Sequence, residues 1–334
     1  NLEFVTVVSI IIPVFNGAST IVETVESVVS QTFQDIEIII VNDGSTDETL
    51  TVLSQLDDPR IRVFSYENAG SSQARNHGIQ QATGEFITFI DADDLWSPDK
   101  VESQVKALEN DPDAGEAYSW TTFMDETGCV LYHQTPAYDE GDIYPALLVR
   151  NFMCSGSNIL ARRSVIEAVG EFDTQLSSVV DWEYYLRLAA HCRFALVRKH
   201  QIFYRKSSQS ISGNLPQVES NSVAVINRAF QQAPQHLQSL KHKSLSELYY
   251  YLARQYIRYD HCRANVVTAL QKMRQAVREN PQLLLQRQVQ KLFAKLLVLR
   301  IIPQSKADFL PNAWQHQPAE SAQPKPASPS TKAI

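Results

Sequence analysis

Three carboxylates, Asp91, Asp93 and Asp94, fall within four residues and directly follow the apolar run 86–90. That run, rich in aromatic and β-branched side chains, reads as a strand buried on both faces. Ser97 suits a helix N-cap and Pro98 a first helical position, so the acids are pinned in a short turn at a strand's carboxyl end. In open α/β sheets ligands bind there. Like charges this close repel, and a divalent cation is the usual remedy. An isolated D-x-D is more often a solvated turn that caps the next helix; here the buried strand before it favours a site.

Three further clusters lie at strand ends or in the loop after a strand: Pro13-Val14-Phe15-Asn16, Asn42-Asp43-Gly44-Ser45, and residues 68–76 with Arg75 near their end. A parallel sheet brings all of them to the edge that holds Asp91-Ala92-Asp93. Asp43 could accept from a base N–H or a ribose hydroxyl, and Arg75 could meet a phosphate or hold a carboxylate in place. Each also has a plain reading: Asp43-Gly44 is a common turn pair, Ser45 an N-cap, Asn16 a turn former and Arg75 half of an ion pair. Neither G-x-G-x-x-G nor G-x-x-x-x-G-K occurs. An acid pair without a glycine phosphate loop suits a diphosphate neutralised by metal, as in a nucleotide-sugar.

The elements that position these residues follow from periodicity. Strands are expected at 7–14, 36–41, 61–65 and 86–90, and helices at 18–31, 71–81 and 98–110. A capping box at Ser45-Thr46-Asp47-Glu48 opens another helix to about residue 56. This alternation implies α/β architecture, a mostly parallel sheet with helices on both faces. After residue 110 the rhythm loosens. Short strands are expected at 117–123, 129–133, 158–161 and 195–203, and helices at 143–150, 164–169 and 181–190. Residues 207–217 read as a flexible loop, 218–302 as all helix, and 304–334 as a disordered Pro/Ala/Ser/Gln-rich tail.

Composition narrows the class. With 334 residues and 44% hydrophobic content the chain has room for one large α/β domain or two smaller ones. No stretch approaches eighteen uninterrupted apolar residues. The run at 5–14 lacks the basic flank and cleavage site of a signal peptide, so it is expected to be the first strand of a cytoplasmic protein. The four cysteines are scattered and read as buried thiols. Residues 1–240 carry 15 Lys/Arg against 32 Asp/Glu, whereas 241–303 carry 12 against 3. The acidic front half argues against nucleic acid as its partner.

Ser9-Ile10-Ile11-Ile12-Pro13-Val14-Phe15-Asn16, Val41-Asn42-Asp43-Gly44-Ser45, Ala74-Arg75-Asn76 and Asp91-Ala92-Asp93-Asp94 together resemble family 2 glycosyltransferases with the GT-A fold. The resemblance runs from about residue 7 to 212. It implies a Rossmann-like GT-A catalytic domain over 1–215, with a nucleotide-sugar half (1–110) and an acceptor half (111–215), then a helical region at 216–303. It also implies inverting sugar transfer from a nucleotide diphosphate sugar, UDP-linked by expectation, with Mg²⁺ or Mn²⁺. Carried over by position, Pro13, Val14, Phe15, Asn16 and Asp43 cradle the nucleotide, Arg75 and Ala92 line the donor, Asp91 lies near ribose and metal, and Asp93 binds the metal.

Asp181-Trp182-Glu183-Tyr184-Tyr185 resembles the family's acidic motif at a helix start, which makes Asp181 the general base and Glu183 its reserve. The acceptor hydroxyl needs such a base. Its plain reading is a first-turn acid favoured by the helix dipole. The stretch around Gly156 matches the acceptor side, and Tyr204-Arg205 a segment near the diphosphate. Ser207 replaces a histidine that some relatives carry two residues after this arginine, which puts a third metal ligand in doubt. The implied role is synthesis of a polysaccharide or other cell-surface glycan on a glycan or lipid-linked acceptor. The alternative is a non-catalytic nucleotide-sugar-binding partner subunit. The basic amphipathic stretch 286–297 suits packing on the catalytic domain, a homodimer contact, or a peripheral contact with an anionic membrane face.

Overall fold

The computed structural model describes residues 8–206, 213–258 and 262–302. Ser207, most of the loop expected at 207–217, and the tail at 304–334 lie outside the described residues.

Every residue of β1 (Val8–Val14) and β2 (Ile36–Asp43) is buried, as central strands covered on both faces require. β3 (Ile61–Tyr66), half exposed, forms one edge of the sheet, and β4 (Phe86–Phe89) lies on the other side of β1. These four strands are parallel and joined through α1 (Ile21–Val29), α2 (Thr49–Leu53) and α3 (Ser71–Gln81). Alternate residues of β1 feed two cores: Ile11 joins the one that holds Ala74 of α3, and Ile10 and Ile12 the one that holds Val25 of α1. Gly78 lets α3 approach closely, because a Cβ there would stand 2.3 Å from Cγ2 of Ile11.

The second half adds β5 (Leu95–Trp96), α4 (Lys100–Asn110), β6 (Ala114–Met124), β7 (Val130–His133), α5 (Tyr144–Val149) and β8 (Leu160–Arg162). It continues with α6 (Arg163–Val169), α7 (Val180–His191) and β9 (Arg193–Arg205). The strand order is β3-β2-β1-β4-β8-β6-β9-β5, with β7 beside β6. The GT-A-like α/β class holds, and the parallel pattern is that of its first four strands. Beyond β4 only β6 and β9 pair in parallel; β4–β8, β6–β8, β6–β7 and β5–β9 are antiparallel. Of these antiparallel pairs only β6 and β7 are joined by a short turn; the others bring together strands far apart in sequence.

β6 runs through the core and carries Glu116, which is fully buried; neither carboxyl oxygen has a partner among the described residues. Burial pushes its pKa well above the ordinary 4.5. A carboxyl raised in the folded state keeps its full stabilising contribution below pH 4.5, and loses it as pH rises toward the folded value. Denaturant midpoints should therefore fall with rising pH, and Glu116→Gln should flatten that slope. An unchanged slope would show that Glu116 is not the group that titrates.

α8 (Leu215–Gln232) and α9 (Leu240–Tyr256) belong to the main core: Val218, Ile226, Phe230, Leu248 and Leu252 pack with Tyr184 of α7 and Leu147 of α5. α10 (Arg263–Glu279) and α11 (Arg287–Ile301) build a separate cluster around Met273 and Leu296. Leu285 and Ile301 stay 79% and 82% exposed. Among the described residues no helix is long and apolar enough to cross a membrane. The four cysteines are free; Cys154, Cys192 and Cys262 are half-buried rather than buried, and Cys129 is exposed because it sits in the turn before β7.

Candidate active site

The carboxyl ends of β1 to β4 open onto linked loops. β1 keeps Pro13 and Val14 inside the sheet, so the chain turns only at Phe15 and Asn16. Pro13 is tolerated in a central strand because it lies past Ile11, the last β1 residue that pairs with β4. Asn16, at φ 50°, accepts from the Thr46 amide at 2.8 Å and donates its own amide to Ser45 Oγ at 2.9 Å. α2 begins at Thr49 rather than after Ser45, and Asp47 just before it accepts from the amides of Thr49 (3.0 Å) and Ala18 (3.1 Å). Asp43 closes the rim: its two carboxylate oxygens accept from the Ala69 and Gly70 amides, both at 2.9 Å. The turn readings of Asn16 and Asp43 thus describe real bonds. Phe15 leaves 52% of its surface exposed above them.

Arg75 reaches across from α3 and pairs with Asp91 Oδ1, the carboxylate-holding reading of the two open to it. Its guanidinium lies 5.6 Å over the Phe172 ring, and Nη1 is buried without a partner among the described residues. Gly156 is small for a reason: a Cβ would stand 3.2 Å from Arg75 Nη2 and 3.4 Å from Asp91 Oδ2. Asn76, next to Arg75, ties the halves of the chain by exchanging bonds with Phe172 N (2.8 Å) and O (3.0 Å).

Burial and the charge of Asp91 push Asp93 up to about 6, with Arg205 pulling the other way. Asp94 is wholly buried and raised as well, by burial and then by Asp93 and Asp91. Its Oδ2 accepts from Ser157 (2.6 Å) and Ser155 (3.1 Å), and its Oδ1 from the Arg205 amide at 3.0 Å. Arg205 is engaged at all three nitrogens: Nε on the Asp93 carbonyl (2.9 Å), Nη1 on the Glu126 carbonyl (3.0 Å), Nη2 on Glu23 (2.6 Å). It works here as a clasp on the turn that carries Asp93 and Asp94. Two crowded carboxylates, one raised by the other, are the donor type that a divalent cation would take. Among the described residues no group of three or more His, Cys, Asp or Glu is arranged to hold a metal.

Asp181 sits in the first turn of α7, partly open to solvent yet deep enough that burial raises its pKa. The Trp182 amide, Arg75 and an Asn151 hydrogen bond lower it, and Asp91 raises it, so Asp181 shares the electrostatic neighbourhood of the Arg75–Asp91 pair. Asn151 Nδ2 donates to Asp181 Oδ2 at 3.0 Å, while its Oδ1 accepts from the Met153 (3.1 Å) and Cys154 (3.4 Å) amides. Two residues beside Asp181 are held at positive φ, Cys154 at 65° and Val179 at 54°. Left-handed backbone in a β-branched valine costs about 1–3 kcal/mol and persists only where the surroundings enforce it.

The expected residues separate accordingly. Arg75, Asp91, Gly156 and Asp181 come together, with Asp93 and Ala92 in the adjoining turn. Trp182 lies in the core with its indole N–H on the Leu147 carbonyl at 2.9 Å. Glu183, two positions from Asp181 and so near the opposite helix face, is held by Arg187 Nε and Nη2, each at 2.9 Å. Asn151 and Ser157 are positioning groups that periodicity alone does not single out, and Asp94, the third acid of the turn, proves to be a buried anchor.

The nine-stranded sheet, with this constellation at the carboxyl edge of its first four strands, has the GT-A-like fold. The chain is similar to S. aureus TarS 1–349 in complex with UDP-GlcNAc, with TM-score 0.61 and 16% identity over 88% of this chain and 87% of that one. It is also similar to the mannosyltransferase PcManGT from Pyrobaculum calidifontis in complex with GDP-Man and Mn²⁺ (TM-score 0.56, 18% identity, 90% and 87% covered). Residues 9–170 match the family described as glycosyl transferase family 2. Chondroitin synthase from Pasteurella multocida is 29% identical over 240 residues, 69% of this chain and 24% of that protein. Across the curated relatives the chain spans 20% to 58% of their length.

Proposed function

We propose that the chain transfers a sugar, with inversion, from a nucleotide diphosphate sugar to a glycan or lipid-linked acceptor in polysaccharide or cell-surface glycan synthesis. The observation that carries this reading is the electrostatic neighbourhood shared by Asp181, Arg75 and Asp91, an acceptor-side base next to a donor-side acid. Asp91 and Asp93 would hold Mg²⁺ or Mn²⁺, which when bound neutralises the diphosphate. The nucleotide lies over the Phe15–Asp43 rim, and UDP is the first nucleotide to test, given the UDP-sugar complex of TarS.

In the transfer step the acceptor oxygen attacks the anomeric carbon on the face opposite the diphosphate. Its proton passes to the Asp181 carboxylate, and the carbon–oxygen bond to the diphosphate breaks with its electron pair leaving on phosphate oxygen. Carboxylates are modest bases, so Asn151 and the Arg75 charge serve by fixing Asp181 in place.

The test is hydrolysis and transfer across a panel of nucleotide-sugars, with Mn²⁺ and with chelator, and the product anomer read by NMR. Inverted product from one donor, lost with chelator, is the expected result. Retained configuration would overturn the mechanism. Binding without turnover of any donor would favour the partner-subunit reading instead.

A further inference from the structure

The last two helices carry an unbalanced charge. Residues 263–302 hold eight Lys/Arg against one acid, Glu279, and that acid meets His242 of α9 at 2.8 Å. Lys272 is answered by Glu219 of α8 at 2.6 Å. Arg274 and Arg278 of α10, and Arg287, Lys291 and Arg300 of α11, stand exposed and form no ion pair among the described residues.

α11 has one face that the molecule covers and one that it leaves open. Val289, Leu296 and Leu299 are buried in the cluster around Met273. Arg287, Lys291, Ala294, Leu297 and Ile301 follow one another at intervals of three or four residues, so they line up along the helix, and all five are exposed. In the turn before α11, Leu284 and Leu285 are exposed too. Apolar side chains are thus open at both ends of a helix about 22 Å long, with Arg287 and Lys291 between them. A lone exposed leucine is ordinary, but several along one helix among free cations mark a contact surface.

Three kinds of occupant differ in what they can use. A nucleic acid takes up the cations and leaves Leu285, Leu297 and Ile301 in water. A second copy related by a two-fold axis sets the patch against itself, bringing Arg287 and Lys291 onto like charges. An anionic lipid surface uses both parts: its headgroups meet the cations while the leucine and isoleucine side chains enter the acyl boundary. We propose that α11, with Leu285 before it, lies flat on an anionic lipid surface as a peripheral anchor. The arginines of α10, the neighbouring helix of the same cluster, add to the attraction. This face is separate from the donor cleft, and the inference stands whichever sugar the chain moves.

The full chain is floated on a density gradient with vesicles of phosphatidylcholine alone and with vesicles of equimolar phosphatidylcholine and phosphatidylglycerol, at low and at high salt. It should rise with the anionic vesicles only, and less as salt increases. Two double variants change exposed side chains alone, so their thermal unfolding should match wild type: Arg287→Gln with Lys291→Gln, and Leu285→Ser with Ile301→Ser. Each should lower partitioning onto anionic vesicles by about tenfold. No binding to anionic vesicles at low salt, equal binding to phosphatidylcholine alone, or partitioning unchanged by the serine pair overturns the anchor. A lipid-free dimer, seen by light scattering and dissociated by the serine pair, would also overturn it and give the face to a second copy.

Discussion

Asp181→Asn is expected to abolish most sugar transfer, by roughly 10²–10⁴-fold, while UDP-sugar binding stays within a few-fold of wild type. Asparagine keeps the shape of the side chain, so Asn151 and the turn at Cys154 retain their geometry, but the amide cannot take the acceptor's proton. The pH profile carries a second signature. Burial raises Asp181 above the ordinary aspartate value, and only its ionised form is a base. Transfer by the wild-type chain should therefore decline on the acid side from a pH above the usual aspartate range. That limb should vanish in the residual activity of the variant. Normal transfer by Asp181→Asn would remove the base assignment.

Asp93→Ala is expected to lower metal-stimulated donor hydrolysis by roughly 10²–10³-fold. The increase in UDP affinity that Mn²⁺ confers should disappear with it. Asp93 can be removed more cleanly than its neighbours, since Asp91 is held by Arg75 and Asp94 by two serines and the Arg205 amide. The measurement is calorimetry with UDP, with and without Mn²⁺, beside hydrolysis rates. A variant that still gains affinity from Mn²⁺ would place the cation elsewhere.

Legibility in the sequence followed the range of the forces involved. β1 announces itself because every residue is apolar or small where both faces are covered, β2 does so through its apolar run at Ile38–Val41 despite the buried Glu37, and α3 is expected at the same 71–81 that it occupies. β6 begins three residues earlier than expected, because Glu116 reads as a surface residue yet lies in the core. β5 has two residues, too few for any period to register; it exists because β9 offers an edge. The acids of the first cluster were visible as a group since a turn places them. Partners far apart in sequence were not: Arg205 finds Glu23 across 182 positions, and Arg258 finds Tyr132 across 126. Asn151 is one asparagine among many until the fold sets it against Asp181.

α8, α9, α5 and α7 share one core across the expected border near residue 215. A chain trimmed there would lay bare Leu147, Tyr184 and their neighbours to water. Swapping the helical region between related enzymes would accordingly demand a matched apolar footprint on the recipient. Modularity in this protein ends where the oil begins.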